Sequence, residues 1–189
     1  MTPDELKEQK FEADIEQYLL TEGGYTKGTQ ATYDKEKAID LDTLIRFIKD
    51  SQPKAWEKFE RVFGINAKAE LYKTMQGDIL KYGLIHTLRK GIKNRGIEIQ
   101  LCYFAPASSL NPELTEKYGK NIMECTRQFV YSKEVKNSID MVLSLNGIPV
   151  VAIELKNQFT GQDVNDSKEQ WMSNRNPKEP LFHFDNRIL

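Results

Sequence analysis

Asp140, Glu154 and Lys156 are the residues whose types and spacing could do chemistry. Asp140 sits inside a β-branched and aliphatic run, Asn137 to Leu145. Glu154 and Lys156 close a second such run, Val150 to Lys156. Between them lies Asn146-Gly147-Ile148-Pro149, strong turn chemistry because Asn and Gly both tolerate positive φ. Two short strands joined this way predict a β-hairpin. Strand alternation puts Glu154 and Lys156 on one face, with Ile153 and Leu155 on the other. An ionised carboxylate at the end of so apolar a strand costs several kcal/mol if it stays unpaired, so Lys156 or a cation must meet it. If Asp140 shares that face, two carboxylates and one amine converge. That donor set suits a hard divalent cation such as Mg²⁺, which binds a few carboxylates and keeps several waters. Lys156 then orients or activates a water, or stabilises charge developing on a phosphate.

The parity of the hairpin constrains this reading. A two-residue loop at Asn146-Gly147 sets Asp140 opposite Ile153, and a four-residue loop from Asn146 to Pro149 sets it opposite Leu155. In both cases Asp140 faces away from Glu154. Bringing the two acids to one face requires an odd loop or a bulge, which a left-handed Gly147 permits. The alternative makes no such demand: a half-exposed edge hairpin with Glu154 and Lys156 turned to water.

An acid followed by a turn-connected strand ending in Glu-x-Lys resembles the PD-(D/E)xK nuclease core, with Ile139 standing where the motif has proline. The wider stretch is more specific: Ser138 to Leu143, then Asn146-Gly147-Ile148-Pro149-Val150, then Ile153-Glu154-Leu155-Lys156. It resembles the amino-terminal endonuclease region of the restriction (motor, R) subunit of type I restriction-modification enzymes. The Asn-Gly-x-Pro turn between the two strands carries most of that likeness. The resemblance implies metal ligation by Asp140, Glu154 and the Leu155 carbonyl, with Lys156 catalytic. It also implies a third acid from an early helix, for which Glu12 is the candidate.

The 189 residues suffice for one domain with a real core. Lys and Arg number 27 against 28 Asp and Glu, so the chain has no overall basic signature for nucleic acid. A nuclease domain is still compatible with that balance, because an acidic metal site offsets local basic patches. Cys102 and Cys125 lack metal-ligand or redox spacing, which predicts a reducing, cytoplasmic setting, bacterial or archaeal by the resemblance. The polar start, Met1 to Lys10, predicts no signal peptide, and no run is apolar enough to span a membrane.

The elements that must position the acids follow from periodicity. Phe11, Ile15, Tyr18 and Leu19 predict a helix with that face inward, stopped by Gly23-Gly24, with Glu12 and Glu16 on a solvated face. Thr26 to Lys37 reads as a loop. Leu41, Leu44, Ile45 and Ile48 predict a second helix. Pro53 opens a third, with Trp56, Phe59, Val62 and Phe63 inward and Gly64 at its end. Leu71, Met75, Ile79, Tyr82 and Leu88 predict one longer helix ending before Gly91. Lys81 to Arg95 carries Lys81, Arg89, Lys90, Lys93 and Arg95 and no acid. That makes Arg89, Lys90 and Lys93 candidates for phosphate contact, unless the cations serve only a helix C-terminus. His86 and His183 lack a partner motif and read as structural. Ile97 to Phe104 and Thr126 to Tyr131 predict sheet strands, Asn111-Pro112 a helix cap, and Leu181 to Phe184 a strand.

Beyond Lys156, Asp163 to Asn174 predicts a polar helix. In the resembled family this helix carries Gln-x-x-x-Tyr. Here Gln170 is present but the fourth residue on is Asn174, and Arg175 resembles the basic residue that closes the helix. Gln170 and Arg175 are therefore candidate DNA contacts.

The expected fold is α/β: a PD-(D/E)xK nuclease-like mixed β-sheet flanked by helices, with an added helical amino-terminal part. One domain spans 1–189, helical to about residue 95 with the sheet core after it. The resemblance implies a type I site-specific deoxyribonuclease subunit using Mg²⁺, with Mn²⁺ able to substitute, acting on double-stranded DNA with little base specificity of its own. Partners would be the methyltransferase and specificity subunits, with no membrane. No phosphate loop is present, so ATP is expected only for a full-length motor from which this domain is excised. Two alternatives stay open: a catalytically inactive docking module with a nuclease-like fold, and a PD-(D/E)xK repair nuclease.

Overall fold

The computed structural model describes residues 3–107, 110–134, 136–155, 176 and 178–182. Helices α1 (Pro3–Thr21), α2 (Leu41–Ser51), α3 (Pro53–Phe63), α4 (Ala67–Tyr82), α5 (Leu84–Lys90) and α6 (Pro112–Gly119) flank two sheets. The larger sheet has the order β1 (Thr26–Lys27), β4 (Met123–Val130), β5 (Ser138–Leu145) and β6 (Ile148–Ile153), with β1 parallel to β4 and the rest antiparallel. The smaller is a ribbon of β2 (Ile92–Asn94) and β3 (Ile97–Ile99). The expected mixed α/β architecture, a sheet flanked by helices, is what the chain forms. Among the described residues no helix is long and apolar enough to cross a membrane.

The main core joins α2, α3, α4 and α5 to the larger sheet through Leu44, Phe47, Phe59, Leu71, Met75, Leu88, Phe129, Ile139 and Val142. Asp40 locks α2 onto this sheet. Its carboxylate caps the helix by accepting from the amides of Asp42 (3.1 Å) and Thr43 (3.0 Å), and its own amide donates to the Gly147 carbonyl at 2.8 Å. The helix that packs the core is thus stapled to the turn of the β5–β6 hairpin.

Five local expectations are corrected. The long helix through Leu71 and Leu88 is two, because Gly83 takes φ +83° and ends α4 by donating to Ile79. Thr26–Lys27, expected in a loop, adds a parallel strand to β4. Ile97 to Phe104 is a strand only as far as Ile99, and outside the larger sheet. Beyond it, side-chain amides satisfy the extended backbone in place of a neighbouring strand. Gln52 bonds both the N–H and the C=O of Gln100 (2.8 Å each), Asn121 does the same for Tyr103 (3.1 and 2.6 Å), and Asn146 donates to the Leu101 carbonyl at 2.8 Å. Leu181-Phe182 belongs to a 3₁₀ turn, Pro180–Phe182, closed by the Phe182 amide on the Glu179 carbonyl at 2.9 Å.

The fifth correction inverts α1. Phe11 and Tyr18 are 52% and 65% exposed, whereas Glu12 and Glu16, expected in solvent, are 2% and 8% exposed. The cause is Arg127 on β4, whose guanidinium pairs with Glu12 at 3.1 Å and Glu16 at 3.5 Å. Glutamates four apart share a helix face, so one guanidinium engages both and turns the acidic stripe inward. Glu16 also lies 3.9 Å from the Lys27 ammonium, which ties α1 to β1 as well as β4.

Candidate active site

The hairpin turn is tighter than the stretch Asn146 to Pro149. Leu145 pairs with Ile148, leaving a two-residue loop in which Asn146 (φ +53°) and Gly147 (φ +79°) are both left-handed. That is the signature of a primed turn, whose twist matches the flanking strands. Asn146 is fully buried and its amide crosses three segments. It accepts from the Ile122 amide at 2.7 Å and donates to the Leu101 carbonyl at 2.8 Å and to the Asn121 carboxamide at 3.2 Å.

A two-residue loop with an unbroken ladder would set Asp140 opposite Ile153. Instead the register shifts between Leu143 and Ser144, so that Ser144 pairs with Pro149 but Leu143 with Val151, and Val150 is the extra residue. Beyond this bulge Met141 pairs with Ile153, the last pair of the ladder, and continuing that register one step sets Asp140 across from Glu154, just past the end of β6. Directly opposed residues of antiparallel strands share a face. The bulge therefore supplies the parity that two converging carboxylates require. Pro149, which cannot donate to a ladder, sits beside the bulge, where proline is tolerated.

Asp140 and Glu154 are half-buried, and Leu155 is buried. The Leu155 amide donates to Asp140 Oδ2 at 2.7 Å, holding the carboxylate against the end of β6. The row extends to β4. Gln128 lies between the Arg127–Met141 and Phe129–Ile139 pairs, at the position opposite Asp140. Its φ of +48° breaks the strand alternation, so Arg127 and Gln128, although adjacent, both reach Glu12. The Gln128 carboxamide donates to Glu12 Oε1 at 2.8 Å and accepts from the Ser138 hydroxyl at 3.0 Å. Glu12, Gln128, Asp140 and Glu154 thus come from four elements to one level of the sheet.

Of the residues singled out from the sequence, Asp140, Glu154 and Leu155 lie together at this level. Glu12 is joined to it through Gln128, with its carboxylate held by Arg127. Lys156, Gln170 and Arg175 lie outside the described residues. Arg89 and Lys90 are exposed on α5, and Lys93 is exposed on β2, where it bonds Glu98 at 2.7 Å; none belongs to the larger sheet. Among the described residues no three His, Cys, Asp or Glu side chains form a ready metal-ligand group. Gln128 was not apparent from the sequence, where it reads as one more strand residue. Its signal was position, a polar side chain in register with Asp140.

Burial pushes the Cys125 thiol, beside Glu16, up to about 11, and the Cys102 thiol up to about 12, so neither supplies a thiolate at neutral pH. Glu124, one strand position from Cys125, is also raised, by burial and then by Asp40.

No curated protein and no solved structure shows a significant match to the sequence. A family model does: the one described as type I restriction enzyme R protein N terminus matches residues 6–185. That span takes in α1 with Glu12, the Gln128 strand and the whole β5–β6 hairpin, and the chain belongs to this family.

Proposed function

We propose that this chain is the endonuclease domain of a type I restriction enzyme R subunit, hydrolysing DNA phosphodiester bonds with Mg²⁺ through a PD-(D/E)xK site. The observation that carries this is the bulged register that sets Asp140 opposite Glu154, with the Leu155 amide on Asp140 Oδ2 at 2.7 Å. Two carboxylates at a strand end, one with an oxygen already oriented, fit a hard cation that binds through one or two carboxylates and keeps its remaining waters. Asp140, Glu154 and the Leu155 carbonyl would hold the ion, with Glu12 nearby through Gln128. When bound, Mg²⁺ supplies Lewis acidity toward the phosphoryl oxygen and lowers the pKa of a coordinated water.

The chain's own groups have separate tasks. Asp140 is oriented by the Leu155 amide. Arg127, together with the Lys27 ammonium 3.9 Å from Glu16, offsets the negative charge of Glu12 and Glu16 behind the site. Lys156 orients the attacking water and stabilises the charge that develops on the phosphate. Gln170 and Arg175 contact the DNA backbone. Base specificity, and much of the grip on double-stranded DNA, would come from the methyltransferase and specificity subunits.

Nicking of supercoiled plasmid tests this proposal. The wild-type chain nicks in Mg²⁺ or Mn²⁺, whereas Asp140→Ala, Glu154→Ala and Lys156→Ala lose about 10²-fold or more of the rate with their melting transitions intact. A Lys156→Ala variant cutting as fast as wild type overturns the role of that lysine. Absence of a Mn²⁺-dependent rise in Tm that Asp140→Ala abolishes would identify a docking module instead.

A further inference from the structure

The solvent face of α5 and the end of α4 carry chemistry that hydrolysis does not use. Lys81, Tyr82, Ile85, His86, Arg89 and Lys90 are all exposed. The Tyr82 and His86 rings lie 5.1 Å apart at 31°, with the Lys81 ammonium 4.8 Å from the Tyr82 centroid. One turn on, the Arg89 guanidinium lies 6.0 Å from the ring of Phe104, itself 54% exposed. Beside the Tyr82–His86 pair a cleft of about 580 Å³ opens between α4, α5 and the β2–β3 ribbon. Asp78, Lys90, Lys93 and Glu98 are among the residues that line it.

We propose that this cleft takes an unpaired nucleotide from a single strand of DNA, with the base stacked on Tyr82 and His86 and the flanking phosphates held by Lys81, Arg89 and Lys90. Three features favour this occupant. Half-exposed aromatic rings interleaved with cations are the parts of a single-strand platform, where rings take base faces and cations track the backbone. Lys81 to Arg95 holds five basic residues and no acid in a chain of net charge -1, so the positive charge is local. Asp78 at the cleft is an acceptor that an exocyclic base amine could use. Lys93 is bonded to Glu98 at 2.7 Å and is not assigned a phosphate. The inference shares with the proposed function only the choice of DNA as partner, and it stands whether or not Asp140 and Glu154 support hydrolysis.

The test is fluorescence anisotropy with a labelled twelve-nucleotide single strand and the same sequence as duplex, in EDTA so that no cleavage occurs. The single strand binds more tightly than the duplex. Tyr82→Ala weakens it roughly 5- to 150-fold, the effect of losing one base–aromatic stack, while Tyr82→Phe binds like wild type. Lys90→Ala lowers the slope of log K against log salt by about 0.7, one single-strand phosphate contact. Lys49→Ala, at another cation–ring pair over Trp56, changes neither. Equal affinity for duplex and single strand, or a Tyr82→Ala effect under twofold with an unchanged melting curve, overturns the proposal. So does a Tyr82→Ala variant that keeps its DNA affinity but loses association with partner subunits, which would make this face a protein contact.

Discussion

Replacing Asn146 by Ala is the sharpest test of how the hairpin is held. The side chain makes three hydrogen bonds, at 2.7, 2.8 and 3.2 Å, from a fully buried position. Truncation leaves the Ile122 N–H and the Leu101 C=O without these partners. Asn121 Oδ1 still accepts from the Tyr103 amide at 3.1 Å. Two orphaned groups cost about 1–3 kcal/mol each. Alanine at φ +53° adds about 1–2 kcal/mol that asparagine, at home in the left-handed region, largely avoids. The sum, on the order of 3–8 kcal/mol, is a large share of the roughly 5–15 kcal/mol that holds a domain folded. With m near 1–3 kcal/mol/M, the urea midpoint drops by about 1–3 M or more. Asn146→Gly separates the two contributions, since glycine removes the strain but not the lost amide, and it recovers about 1–2 kcal/mol of the loss. An Asn146→Ala variant destabilised by less than about 1 kcal/mol would refute the reasoning, because the buried network would then be carrying almost nothing.

Other outcomes follow from the same coordinates. Gly147→Ala places a Cβ 2.2 Å from the Asp40 carbonyl oxygen at a φ of +79°, so calorimetry should find it at least as damaging as Asn146→Ala. Arg127→Ala leaves Glu12 without its cation and Glu16 with only the Lys27 ammonium at 3.9 Å, and costs about 3–5 kcal/mol by urea denaturation, most of it recovered when Glu12→Gln and Glu16→Gln are added. Glu124 has a raised pKa, so its folded form binds a proton more tightly than its unfolded form. Its contribution to stability therefore falls as pH rises from the ordinary glutamate range through the folded value. Glu124→Gln should raise Tm at pH 7, with the gain shrinking below about pH 4. Cys102 and Cys125, held near 12 and 11 and buried, should resist a thiol reagent at pH 8 until denaturant is added.

Much of this architecture was legible because local signals agreed with the tertiary outcome. Leu44, Ile48, Trp56, Phe59, Leu71 and Met75 are periodic and are buried as their spacing predicts. Asn111 caps α6 by accepting from the Leu114 amide at 3.2 Å, as Asn-Pro implies. The failures share a cause: a polar partner distant in sequence. Phe11 and Tyr18 looked inward-facing until Arg127, more than a hundred residues on, claimed Glu12 and Glu16. Ile97 to Phe104 alternates like a strand, but the amides of Gln52, Asn121 and Asn146 replaced its ladder. Hydrophobic period registers apolar burial and is blind to side chains that satisfy backbone or charge across the fold. Gly83 failed differently, because one glycine in a helical run is usually tolerated and only its positive φ shows the break.

The candidate site is where the sheet departs most from regular geometry. Within a few residues of the Asp140 row the chain has a left-handed Gln128, an extra Val150 and two left-handed turn residues. The left-handed Gln128 and the bulge carry a cost, since a non-glycine residue in the left-handed region is strained and a bulge forfeits ladder hydrogen bonds. What they accomplish is specific to side-chain direction. The bulge changes which residue stands opposite Asp140, from Ile153 to Glu154. The left-handed Gln128 turns a second polar side chain toward Glu12 while returning Phe129 to the core. Asn146 and Gly147 fix the tight loop from which the register is counted. Stability alone would favour the regular hairpin, so the combination is best explained by the acids it aligns.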